Sequence, residues 1–331
     1  METALPSSPR QSATPGRSLA TDVWAYIALA FGFSWIMTIG AIKLGFAEEY
    51  LNIGAAGPAV AALLLSRHRQ PGPVRPSGSR WLWCGVLLAP SWIVLSAHSL
   101  WWHDIAAPVR VNPWLLLPAL VPAWILSGVF SAKEGERCLV RRLVHAPDRW
   151  SIYALLYFPV LLGIPSVIAH ALGAHLIWAS LGGFTRAVIG SAAIFFLYNL
   201  LFVATEEGPG WRGFLLDRLQ RNFSPLSATL PTWLPRALWH APLDYYRPTR
   251  FTLVQEILLR VVFLIPLSIV LTWFYNRSGR SIQATAIFHA SMNTFPYVVP
   301  YYQPAWFVIL IFAAYAVIAD RMWSRASIAA G

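Results

Sequence analysis

Between residues 199 and 293, side chains that are expensive in apolar surroundings recur in an otherwise hydrophobic sequence: Asn199, Glu206, Glu207, Arg212, Arg236, His240, Asp244, Glu256, Arg260, His289 and Asn293. Ionisable groups in such a setting are retained for partners or for chemistry. Glu206 and Glu207 are adjacent, and two confined carboxylates cannot both ionise cheaply, which marks one of them as a candidate general base. His289 and Asn293 stand four residues apart and share a helix face. One carboxylate, two imidazoles and an amide form the set needed to activate water against a carbonyl. The carboxylate takes the proton, His240 and His289 hold the water or a metal, and Asn293 donates to the developing oxyanion. Arg212 and Arg236 are cations that would fix a carboxylate or bind the anionic end of a substrate. Two histidines and a carboxylate would also suit zinc with one open position. A zinc site on His240 and His289 and a metal-free reaction both remain open. Taken singly, each group has a plainer reading: an interfacial Glu–Arg pair, a hydrogen-bonded structural histidine, a helix-face pair.

The elements that must carry these groups are membrane helices. The chain has 331 residues, 57% hydrophobic and 12% charged, about half the charge of a soluble domain. Runs long enough to span occur near 24–44, 51–66, 81–103, 113–131, 151–173, 186–207, 229–246, 252–275, 281–298 and 303–320. They predict an all-α, polytopic transmembrane bundle of about ten helices, with eight to ten as the range. The net charge of +11 resides in short loops. Arg67, Arg69, Arg75 and Arg80 follow the second run, Lys133, Arg137, Arg141, Arg142 and Arg149 the fourth, Arg212, Arg218 and Arg221 the sixth, and Arg277 and Arg280 the eighth. With Arg10 and Arg17 before the first run and Arg321 and Arg325 after the last, all fall on one side if the runs alternate. That places both termini in the cytoplasm of a multi-pass protein of the inner (cytoplasmic) membrane, and it argues against nucleic-acid binding. The 17 tryptophans, among them Trp81, Trp83, Trp101, Trp102, Trp114 and Trp150, read as interfacial anchors. Cys84 and Cys138 have neither a zinc-finger nor a redox spacing.

Depth ties the polar stations together. His240 lies nine residues beyond Pro231 and His289 eight beyond Ser281, so both imidazoles sit roughly 12–13 Å from the cytoplasmic ends of their helices. Gly208, Pro209 and Gly210 are expected to interrupt the helix after Glu207. The organisation expected is a disordered tail over 1–22, one bundle over 23–322 with its candidate catalytic core at 186–300, and a short tail over 323–331.

The stretches Gly210 to Leu216 (GWRGFLL), Leu238 to Leu243 (LWHAPL) and Phe288 to Asn293 (FHASMN) resemble the three motifs of the CAAX-protease and bacteriocin-processing family of intramembrane enzymes, which includes the type-2 CAAX prenyl proteases. The resemblance covers roughly 190–300. It implies an intramembrane endopeptidase, described in the family both as a metalloprotease and as a glutamate-dependent enzyme. Its residues here would be Glu206 or Glu207, Arg212, His240, His289 and Asn293. Arg212 stands six residues after Glu206 and five after Glu207. The family's first glutamate therefore maps to Glu207, with Gly208 in the second place, or to Glu206 if one residue is inserted near Gly208–Pro209. The family's phenylalanine is replaced by Arg236, whose expected partners are Glu206, Asp244 or a substrate terminus. The substrate would be a peptide or protein segment met among membrane lipids. Two competing readings are an inactive family member serving as a scaffold or immunity-type protein, and a proton-coupled transporter. The oligomeric state is not legible.

Overall fold

The computed structural model describes residues 19–46, 48–69, 78–103, 112–177, 186–246 and 251–325. Of the charges and anchors named above, Arg10, Arg17, Arg75 and the side chains of Arg69, Trp101 and Trp102 lie outside the described residues. The fold is all-α. The helices are α1 (Leu19–Lys43), α2 (Leu51–Ala55), α3 (Gly57–Arg69), α4 (Gly78–His103), α5 (Leu116–Ser127), α6 (Glu134–Arg141), α7 (Arg149–Ala171) and α8 (Arg186–Tyr198). They continue with α9 (Thr205–Gly208), α10 (Asp217–Leu219), α11 (Pro225–Trp239), α12 (Ala241–Tyr246), α13 (Leu253–Arg277), α14 (Ile282–Val298) and α15 (Val308–Ala319). Among the described residues, five helical stretches are long and apolar enough to cross a membrane: Leu19–Lys43, Ser79–Leu100, Pro113–Phe130, Arg149–Ala171 and Leu253–Arg277.

Helix starts follow capping chemistry. Asp148 and Ser151 form a reciprocal capping box at α7, and Thr252 and Gln255 form another at α13. Ser224 and Ser281 accept from the third amide of α11 and α14. Each oxygen satisfies a backbone donor that the helix leaves open.

Close approach in this bundle depends on small residues. The buried stripe of α1 is Tyr26, Ala30, Ser34, Thr38 and Ala41, and α2 and α3 press Gly54 and Gly57 into it. A Cβ on Gly57 would stand 2.6 Å from the Ala30 carbonyl oxygen. In lipid, where apolar surface gives little drive for helices to associate, such contacts supply the dispersion energy of packing. A second core is aromatic. Phe288 meets Phe158 and Phe274 with ring centroids 5.0 Å apart in each case, and the Ser291 hydroxyl donates to the Leu155 carbonyl at 2.9 Å. These contacts hold α14 against α7 and α13.

Three expectations change. The chain does not break after Glu207. The segment from α8 to α10 stays helical, widened to π-helix over Asn199–Ala204 and again over Pro209–Leu216. Bonding five residues ahead instead of four absorbs extra residues and accommodates Pro209 without a turn. Arg212 and Arg218 are consequently buried helix residues rather than loop charges. The basic loop after the fourth run contains a short helix, α6, whose Gly135, Glu136, Arg137, Leu139 and Val140 are buried. The first helix begins at Leu19, inside the stretch expected to be an unstructured tail.

One polar cluster fixes the start of α14. Asp217 accepts from the Tyr275 hydroxyl at 3.1 Å and from Arg280 Nη1 at 3.0 Å. Arg142 donates to the Arg280 carbonyl at 3.1 Å, and its own carbonyl accepts the amides of Ile282 and Gln283. The turn between α13 and α14 passes through left-handed backbone at Gly279 (φ 64°) and Arg280 (φ 65°). Arg280 tolerates this costly conformation because its side chain and carbonyl are both engaged.

Candidate functional site

Glu207 on α9, Arg236 on α11 and His289 on α14 converge. Arg236 Nε and Nη2 both donate to Glu207 Oε2, at 3.0 and 2.9 Å. Arg236 Nη2 also lies 3.5 Å from His289 Nε2, a donation that requires this nitrogen to be the unprotonated one. All three side chains are buried, Arg236 to 3% exposure, Glu207 to 4% and His289 to 8%. His240, half-buried at the junction of α11 and α12, lies within electrostatic reach of Glu207, Arg236 and His289. Asn293 is half-buried one turn beyond His289, with no hydrogen bond to a described residue.

The wall beside Glu207 is aromatic. Tyr26 of α1 meets Trp211 edge-on at 5.6 Å, and Trp211 meets Trp239 at 6.1 Å. Trp35 of α1 donates to the Trp239 carbonyl at 3.2 Å, holding the end of α11 where His240 sits. Several buried polar atoms here lack a partner among the described residues: Tyr26 Oη, Trp211 Nε1, Arg212 Nε and Nη2, Arg236 Nη1, Trp239 Nε1 and both Glu206 oxygens. Buried polar groups are ordinarily hydrogen-bonded, so this concentration of open donors, beside the Glu206 carboxyl, marks a patch suited to a polar ligand. Glu206 is fully buried. It lies within electrostatic reach of Tyr198, whose hydroxyl donates to Asn52 at 3.0 Å.

Of the residues singled out from sequence, Glu207, His289 and Arg236 come together, His240 and Arg212 lie within electrostatic reach of Glu207, and Glu206 is the neighbour of Glu207 without sharing its hydrogen bonds. The expected partners of Arg236 are corrected. It pairs with Glu207, while Asp244 is taken by Arg260, whose Nε donates at 2.9 Å. Helix geometry explains this, because Arg236 and Asp244 are separated by the break at His240 and face different neighbours. Sequence reasoning missed Tyr26 and Trp211. Their only signal was an aromatic pair among many, since Tyr26 lies far along the chain from the motif residues.

A zinc ion would need three donors about 2.0–2.2 Å from one point. Among the described residues no three His, Cys, Asp or Glu side chains are so disposed. Arg236 accounts for this: its guanidinium lies between the Glu207 carboxylate and the His289 imidazole, and a second cation there would meet its full charge in a low-dielectric setting. The side chains as arranged do not fit a metal.

Residues 189–295 match the family described as type II CAAX prenyl endopeptidase Rce1-like. The chain is also similar to a protein named CAAX prenyl protease 2 from Methanococcus maripaludis, 28% identical over 194 residues, an alignment that covers 54% of this chain and 70% of the relative.

Proposed function

We propose, from the membership of residues 189–295 in the Rce1-like family of type II CAAX prenyl endopeptidases, that this multi-pass membrane protein is an intramembrane endopeptidase in which Glu207 activates water. The observation that carries the reading is the convergence of Glu207, Arg236 and His289 from three helices onto one buried point. Both hydrogen bonds from Arg236 fall on Oε2, so Oε1 is the oxygen that takes the proton from water. His289 and His240 flank the path of the attacking oxygen and orient it. Asn293, one turn from His289 on the same helix face, donates to the oxyanion that forms on the scissile carbonyl. Arg212 and the open indole and phenol donors of Trp211, Trp239 and Tyr26 hold the polar backbone or terminus of the incoming peptide. The positive loops support cytoplasmic termini and a substrate that reaches the site at the cytoplasmic side of the inner membrane.

The test is cleavage of a membrane-tethered peptide reporter by the purified protein in liposomes. Cleavage that is lost in His289→Ala and strongly reduced in Asn293→Ala supports the reading. A folded wild-type protein that cleaves no member of a broad reporter set would instead favour a scaffold or immunity-type role, with Arg236 tying up the glutamate.

A further inference from the structure

Two other arginine–carboxylate pairs, the half-buried Arg260–Asp244 and the exposed Arg277–Asp320, allow an internal comparison with Arg236–Glu207. Arg260 donates through Nε to Asp244 Oδ2 and through Nη2 to Oδ1, and Arg277 treats the two oxygens of Asp320 in the same way. These are two-pronged pairs, the geometry that best satisfies both partners. Arg236 differs. It places both N–H groups on Glu207 Oε2, directs Nη2 toward His289 Nε2, and keeps Nη1 buried without a partner among the described residues. A guanidinium that served only to neutralise Glu207 would gain more by taking both oxygens. Here it stands between a carboxylate and an imidazole, in the position and with the sign of charge of a bound cation.

We propose that the Arg236 guanidinium is a resident cation that occupies the place of a divalent metal between Glu207 and His289, positioning the glutamate and closing the site to zinc. The exclusion of metal stands on this geometry alone. The positioning role rests on the reading of Glu207 as the base.

The experiment uses the full chain in detergent, stripped with chelator, exposed to zinc and desalted, with metal content measured by mass spectrometry and cobalt substitution followed by its visible absorption. Wild type is expected to retain far less than one zinc per chain. Arg236→Met is expected to take up zinc stoichiometrically, and to lose it again when combined with His289→Ala. Stoichiometric zinc in wild type that disappears in His289→Ala would overturn the proposal, as would a folded Arg236→Met protein that binds none. Should Arg236→Met fail to fold, the wild-type and His289→Ala pair decides. The positioning role has its own readout: millimolar guanidinium should restore kcat in Arg236→Ala with KM unchanged, whereas folded protein showing no rescue refutes it. Because the metal measurement needs no turnover, a wild type that cleaves nothing would sink the protease reading and leave the metal exclusion still decided.

Discussion

Gly210→Ala tests whether the backbone behind the glutamates is set by direct helix contact. A Cβ at Gly210 would stand 2.5 Å from the Pro58 carbonyl carbon and oxygen and from its Cβ. Ordinary van der Waals contact begins near 3.4 Å, so the π-helical segment and α3 must separate by roughly 0.9 Å, and most of the obstacle is backbone that cannot rotate away. Overpacking of this kind costs about 1–3 kcal/mol. The displaced segment follows Glu207 by three residues, and misplacing a reacting group by about 1 Å can cost on the order of 100-fold in rate. Gly208→Ala is the control on the same segment, because its Cβ would meet only the Ile282 Cγ2 at 3.2 Å. Equilibrium unfolding in mixed micelles and reporter cleavage in liposomes measure the two effects. We expect Gly210→Ala to lose both stability and rate, and Gly208→Ala to lose much less. A Gly210→Ala protein with wild-type stability and turnover would refute the claim that contact with Pro58 places the glutamate.

Two further predictions concern charge. Arg236→Met leaves Glu207 buried without its cation, and removing one partner of a buried pair costs about 3–5 kcal/mol; Arg236→Lys should lose less, and an unfolding shift below about 1 kcal/mol in Arg236→Met would mean that the pair contributes little. Asp217 lies past the end of the spanning segment: burial alone would raise its carboxyl, but Arg142, then Arg280 and Arg221, hold it below its ordinary 3.8. Its stabilisation is therefore complete above about pH 4 and is lost as pH falls through the lowered value. The difference in melting temperature between wild type and Asp217→Asn should narrow on acidification below that point, and a difference independent of pH would show that the charge of Asp217 does not stabilise the fold.

The helical bundle was legible because the same property, long apolar runs separated by basic loops, sets both the sequence pattern and the fold. The motif residues were legible because an ionisable side chain is conspicuous against Leu, Phe and Ala. Three features were not. Gly208-Pro209-Gly210 reads locally as a break, yet tertiary contact with Pro58 and Ile282 holds it helical, and nothing in local propensity distinguishes a π-helix from a turn. The partner of Arg236 was hidden because pairing across helices depends on their rotation about their axes, which the spacing of charges does not specify. Tyr26 belongs to the site only through α1 packing across it, a contact spanning most of the chain.

The most direct measurement of the central claim is single-turnover cleavage of the membrane-tethered reporter by Glu207→Gln and Glu206→Gln, each verified as folded. General-base catalysis by a positioned side chain contributes about 10²–10⁴-fold. Glu207→Gln should fall by at least that order, while Glu206→Gln, which shares none of the bonds to Arg236, should retain the larger part of the rate. Wild-type cleavage by Glu207→Gln, or a loss confined to Glu206→Gln, would contradict the account.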